Sequence, residues 1–319
     1  MDFNRISGYK RLDFFARQVV EGFITGRHRS PFHGFSVEFS DYRQYNTGES
    51  TRHIDWHLYG RTDRLYVKQY EEETNLRCQL LIDNSSSMLF PLEGQGDVEH
   101  PNKLTFAVYA SAVLIELLHR QRDAFGLTLL GVPKQEDADK SVDGLALNTP
   151  CRSSSVHQHY LFSQLDALLQ PVQAEKYERY GALPAETLHF VAEQMHRRSL
   201  VVLFTDAFVD ATGRAALVDA LRHLRHNKHE VILFHTFDRA RELDLDYGSR
   251  PYQFVDLESG QRLRLQPNRI AEAYSREMNA LQAELQHTAL QYRIDYVPVD
   301  VAQGFHQVLL PFLLKRSKL

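Results

Sequence analysis

Cysteine is scarce in this chain: Cys78 and Cys151 are the two thiols among 319 residues. Two cysteines set this far apart make no disulfide framework, and neither has the short spacing of a zinc site. Cys78 lies in an apolar stretch and reads as a small buried hydrophobe. No apolar run approaches the ~20 residues that cross a bilayer. The longest, near 308–314, is short and contains Pro311. The opening Met1-Asp2-Phe3-Asn4-Arg5 lacks the basic and apolar regions of a secretory leader. Charge of one sign is not in surplus. Lys and Arg total 37 against 41 Asp and Glu, a net −4, so no global basic field gathers nucleic acid or anionic lipid. There is no phosphate loop, because Gly48-Glu49-Ser50-Thr51 lacks both the lysine and the upstream glycine of a nucleotide cradle. ATP hydrolysis by this chain is therefore not expected. A Gly-x-Ser-x-Gly elbow is missing too. Histidine is plentiful, at sixteen. Yet His157 with His159, and His223 with His226, find no third ligand at zinc spacing. Together these absences predict a cytoplasmic protein with no membrane or nucleic-acid partner. The closing Ser317-Lys318-Leu319 has the form of a peroxisomal address, but it acts only through a receptor; we read it as coincidence.

What is present divides the chain in two. Residues 1–75 are mixed. Leu12, Phe15, Val19, Phe23 and Ile24 fall near helical spacing and predict an amphipathic helix from Lys10 to Thr25. Phe35 to Phe39 and Leu65 to Tyr70 alternate at period two, as half-buried strands do. The stretch between them is rich in Arg, Asp, His and Tyr and holds the only tryptophan, Trp56. This predicts a small N-terminal accessory lobe. Residues 76–319 alternate strands with helices, the signature of an α/β fold with a mostly parallel sheet and helices on both faces. Strands are expected at Leu76–Ile82, Phe125–Leu130, Leu145–Thr149 (an edge), Leu200–Phe204, Val231–Phe234 and Ile294–Val299. Helices are expected at Lys103–Arg120, Val156–Leu169, Ala185–Arg197, Arg214–His226, Ile270–Tyr292 and Phe305–Lys315. Tyr252–Leu265 reads as a hairpin turning at Glu258-Ser259-Gly260.

The chemistry gathers at two strand ends. Leu80-Leu81-Ile82 runs into Asp83, with hydroxyls at Ser85 and Ser87; Leu200 to Phe204 runs into Thr205-Asp206. In open α/β sheets the loops after the strands carry the ligand site. Parallel neighbours lie ~4.8 Å apart, so adjacent strands would bring both carboxylates to one ion. Carboxylate and hydroxyl oxygens are hard ligands suited to Mg²⁺ or Mn²⁺. These four side chains leave the shell incomplete, so a third loop is expected to add a hydroxyl. The candidates are Ser153, Ser154 and Ser155, and Ser155 is preferred. Helix capping by Asp83 and the serines is the competing reading.

Asp83, Ser85, Ser87 and Asp206 together resemble the metal-ion-dependent adhesion site of von Willebrand factor A domains. Its pattern is Asp-x-Ser-x-Ser, then a Thr, then an Asp. The Thr element has no clear match here, and Ser155 stands in its stretch. A longer resemblance rests on Gly34-Phe35-Ser36-Val37-Glu38-Phe39, Arg43-Gln44-Tyr45, Gly48-Glu49, Arg52-His53-Ile54-Asp55-Trp56, Arg61 and Val67-Lys68-Gln69-Tyr70-Glu71. It continues in Phe237-Asp238, Phe254 to Gly260 and Leu313-Leu314-Lys315-Arg316. These segments resemble the domain-of-unknown-function 58 family, whose members carry such a front end before a von Willebrand A-like domain. The resemblance implies a bacterial protein that partners a MoxR-type AAA+ ATPase. It implies no activity of its own.

Two questions stay open at this level. The front-end arginines and acids, including Arg52 and Asp55 beside Trp56, read either as ion pairs fastening the lobe or as a partner-binding surface anchored by Trp56. For function, the expectation is a non-enzymatic, metal-dependent adaptor or chaperone cofactor acting on an unknown client. The alternative is a Mg²⁺-dependent phosphatase or phosphotransferase with Asp83 as nucleophile. Such enzymes place a second Asp two residues on, where this chain has Ser85.

Overall fold

The computed structural model describes residues 12–25, 42–45, 56–68, 76–131, 145–170 and 185–316. They fall in two compact units, one spanning Phe32–Leu76 and the other comprising Met1–Pro31 with Arg77–Leu319.

In the smaller unit, strand β1 (Tyr42–Gln44) pairs antiparallel with β2 (Tyr66–Lys68), and helix α2 (Trp56–Thr62) lies between them in sequence. The strand expected at 35–39 lies outside the described residues.

The larger unit is built on a six-stranded sheet of order β10-β7-β6-β3-β4-β5. Its strands are β3 (Arg77–Asp83), β4 (Ala124–Leu130), β5 (Leu145–Asn148), β6 (Leu200–Thr205), β7 (Glu230–Phe237) and β10 (Asp295–Asp300). Every neighbour pair is parallel except β4 with β5. The fold is therefore α/β and Rossmann-like, with a mostly parallel sheet flanked by helices. Strands β3, β6 and β7 are almost continuously apolar because a central parallel strand is covered on both faces. Strand β10 carries Pro298, which a sheet tolerates at its edge.

Alternate side chains serve the two faces. On one, Phe106 from α3 (Lys103–Arg120) meets Phe204 of β6, Phe234 of β7 and Phe305 of α8 (Phe305–Arg316), with ring centroids 5.8–6.5 Å apart. On the other, Leu81, Val201, Leu203, Val231 and Leu233 pack with Leu188 and Val191 of α5 (Ala185–Gln194) and Leu217, Leu221 and Leu224 of α6 (Ala211–His226). Helix α4 (Ser155–Leu168) lies beside α3, and α7 (Pro267–Gln291) leads into β10. The hairpin of β8 (Tyr252–Val255) and β9 (Arg262–Leu265) forms where expected.

One assignment needs correction. The first helix, expected in the N-terminal lobe, is α1 (Leu12–Thr25), and it packs on α3 of the α/β unit. Phe15 explains this: it is 2% exposed and stacks edge-on against Tyr109 and Phe305. An amphipathic stripe goes to the largest apolar surface on offer, and that surface belongs to the sheet's helices.

Candidate functional site

From β3 the chain crosses through α3 to β4 on one side of the sheet. From β6 it crosses through α6 to β7 on the other. The strand order therefore reverses between β3 and β6, and ligand crevices open at the carboxyl ends of such switch points. Asp83 ends β3 and Thr205-Asp206 ends β6, on paired strands, so the structure brings both predicted carboxylates to this point.

Each is held by short local contacts. Asp83 is 2% exposed. Its Oδ1 accepts the Ser85 N–H at 3.0 Å and its Oδ2 accepts the Thr205 hydroxyl at 2.7 Å. Beyond it the chain turns into a single 3-10 turn, Ser86–Leu89, which sets Ser85 Oγ 3.0 Å from Ser87 Oγ. The Ser87 hydroxyl also helps keep the Asp206 carboxyl ionised.

Asp206 has a partner that sequence reasoning missed. Lys103, the first residue of α3, is 1% exposed and sends its ammonium to Asp206 Oδ2 at 2.7 Å and Glu242 Oε1 at 2.6 Å. Glu242 sits in a π-helical turn, Arg239–Leu243, a geometry that recurs at functional sites. Its other oxygen accepts the Asp238 N–H at 2.7 Å. Asp206 Oδ1 accepts the Phe208 N–H at 3.0 Å. Behind this group, His235 of β7 donates from Nε2 to the Asp206 carbonyl at 2.9 Å, and its Nδ1 accepts from the Tyr296 hydroxyl at 2.7 Å. Burial pushes His235 down to about 4, so it stays neutral in that role. A cavity of about 830 Å³ opens beside the site, lined by Asp206, Phe208, Val218, His235, Glu258 and Leu285 among others.

The electrostatics are unbalanced. Among the described residues, Asp206 and Glu242 share the ammonium of Lys103, and Asp83 lies close enough to Asp206 for their charges to repel. Burial opposes ionisation of Asp206, but Lys103 outweighs it and holds Asp206 below the usual carboxylate range. Burial and then the Asp206 charge push Asp83 up to about 6, and the same two causes push Glu258 up to about 7. A hard divalent cation would relieve this surplus of negative oxygen. Asp83, Ser85 and Ser87 are the donors that fit it. Asp206, with one oxygen on Lys103 and the other on a backbone N–H, fits a role through water. No three His, Cys, Asp or Glu side chains among the described residues form a ligand set by themselves, so the hydroxyls are indispensable to any ion here.

Ser155 does not belong to the site. It opens α4, is exposed, and lies 3.4 Å from His119 Nε2 near the end of α3. The reason is chain direction. Strand β5 runs antiparallel, and Arg152 bridges Phe125 at the start of β4, so Ser153 to Ser155 sit at the amino end of the sheet. Asp83 pairs with Leu130 at the opposite end.

The predicted partner-binding residues are only partly visible. Arg52 and Asp55 lie outside the described residues. Trp56 opens α2 and is 61% exposed, edge-on to Tyr59 with centroids 6.2 Å apart.

The family described as "Protein of unknown function DUF58" matches residues 41–284. The uncharacterized protein Mb1516 of Mycobacterium bovis is 24% identical over 253 residues, covering 79% of this chain and 70% of that protein. The uncharacterized protein Rv1480 of Mycobacterium tuberculosis matches to the same extent. Among solved structures, the conserved hypothetical protein BatB of Bacteroides thetaiotaomicron aligns with a TM-score of 0.44 at 14% identity, over 76% of this chain and 100% of that one. The pilus adhesin SpaC of Lactobacillus rhamnosus aligns with a TM-score of 0.44 at 11% identity, over 78% and 31%. Among the described residues no helix is long and apolar enough to cross a membrane.

Proposed function

This chain belongs to the DUF58 family, and from that premise we propose that it is a non-enzymatic, metal-dependent protein-binding adaptor of the von Willebrand factor A type. It acts in the cytoplasm with a MoxR-type AAA+ ATPase and presents a client protein to it. The observation that carries the reading is the meeting of Asp83, Ser85, Ser87 and Asp206 at the topological switch between β3 and β6. Asp83, Ser85 and Ser87 hold Mg²⁺ or Mn²⁺, and Asp206 acts through a water. A partner carboxylate then completes the shell. The ATPase partnership rests on the resemblance of the front end and tail to that family.

Phosphoryl transfer through Asp83 is disfavoured by the residue's own surroundings. Both carboxylate oxygens already accept hydrogen bonds and the side chain is buried, whereas a nucleophile must present an oxygen to substrate.

The test is calorimetric. Wild-type protein binds Mn²⁺ or Mg²⁺, and Asp83→Ala keeps its fold and loses the ion. By linkage, an ion that helps hold the partner is itself held tighter by that partner. Chelator should therefore weaken the complex with a MoxR-type ATPase. Equal metal affinity in wild type and Asp83→Ala, or a complex equally tight in chelator and in Mg²⁺, would sink the proposal.

A further inference from the structure

Helix α7 leaves most of its apolar side unclaimed. Of its 25 residues, Pro267 and Ala289 are the buried ones. Met278, Leu281 and Leu285 fall at spacings of three and four, so they share one face. All three are half-buried and line the cavity of about 830 Å³. Ala211, Ala215 and Val218 of α6 line it too, and they share a face by the same spacing. The cavity exists because each helix packs elsewhere. Helix α6 lies on α5 and β7, whereas α7 lies on β10 and the turn Arg239–Leu243. Phe208 adds an aromatic ring, 53% exposed, to the lining. The charge of the lining is mostly negative. It carries seven carboxylates against one guanidinium, that of Arg214. Lys103 pairs with Asp206 and Glu242, and Arg222 with Asp219, which leaves negative charge in surplus. Asp219 of α6 and Glu284 of α7 are exposed, so the outer lining is acidic on both helices.

We propose that this groove docks a basic amphipathic helix of the client protein. Its apolar side chains lie between α6 and α7, and its lysines or arginines meet Asp219 and Glu284. Two facing apolar stripes take the apolar face of a third helix, and opposite charge at the rim selects a basic one. The stripe from Met278 to Leu285 is about 10 Å long, which matches two turns of a docked helix. A protein occupant follows from the adaptor reading above, on which the proposal rests, but the groove itself needs no ion.

The probe is a labelled synthetic peptide of leucine and lysine patterned as an amphipathic helix. A leucine–glutamate peptide of the same pattern is its control. Full-length protein is titrated in chelator and followed by fluorescence anisotropy, after equal melting confirms the fold of each variant. The leucine–lysine peptide should bind, and the leucine–glutamate peptide should not. Leu281→Lys should weaken binding about tenfold, because it removes an apolar contact and puts a cation in the groove. Glu284→Lys should weaken it about threefold at low salt and less at high salt. Glu186→Lys, the same charge reversal at an exposed site on α5, should leave it unchanged. An equal loss in Glu186→Lys would reduce the binding to diffuse negative charge and overturn the proposal. Self-association that Leu281→Lys abolishes, without peptide binding, would make a second copy the occupant and overturn it too. Absence of peptide binding by protein that still takes up Mn²⁺ sinks the groove alone. Peptide binding by protein that takes up no Mn²⁺ upholds the groove and sinks the metal site alone.

Discussion

Lys103 governs the electrostatics of the site. A cation on the first residue of a helix sits against the positive end of the helix dipole, and burial at 1% exposure penalises it further. It is kept because Asp206 and Glu242 close on it at 2.7 and 2.6 Å, which pushes its affinity for the proton above the ordinary range. Removing one partner of a buried ion pair strands the others. Lys103→Met should therefore destabilise by about 3–5 kcal/mol, and adding Glu242→Gln should recover part of that. Urea unfolding checks both; an unchanged midpoint in Lys103→Met would mean that the cluster does not stabilise the native state. Cys151 makes the opposite case, a group silenced by its surroundings. Burial pushes its thiol up to about 12, against a smaller downward pull from Arg77, and Sγ donates to Gln79 Oε1 at 3.1 Å. The thiolate is the reactive form, so raising this pKa removes reactivity at neutral pH. Alkylation of Cys151 in the native protein should climb about tenfold per pH unit from 8 to 10 without levelling. A plateau near pH 9 would show an unshifted thiol.

At the scale of elements, amphipathic pattern and packing agree in the α/β unit and part company in the smaller one. The apolar runs at 76–82, 200–204 and 231–234 were readable as buried parallel strands, and they became β3, β6 and β7. The one β5 edge and the β8–β9 hairpin were equally legible, from length and turn chemistry. Helix α2 was not, because Trp56-His57-Leu58-Tyr59-Gly60-Arg61-Thr62 has no apolar stripe to announce it. Its Trp56 is exposed, so truncation removes little buried surface. Trp56→Ala should shift stability by no more than ~0.5 kcal/mol, rather than the several kcal/mol of a core aromatic. A melting curve decides, and a loss as large as that of a buried Phe would show that Trp56 is covered in solution.

For the whole molecule, the sequence by itself determined the fold class, because strand and helix periods are local properties of the chain. It also determined that two strands end in carboxylates and that hydroxyls follow the first. Only the tertiary structure decided which charges meet. The salt bridge of Lys103 with Asp206 and Glu242 joins residues more than a hundred positions apart, and no period in the chain records such a distance. The misplacement of Ser155 has the same origin. Its hydroxyl stood in the expected stretch, but the antiparallel run of β5 carried it to the amino end of the sheet. Residue type is written locally, whereas strand direction and order set which end of the sheet each loop reaches, and those follow from burying the whole apolar surface at once.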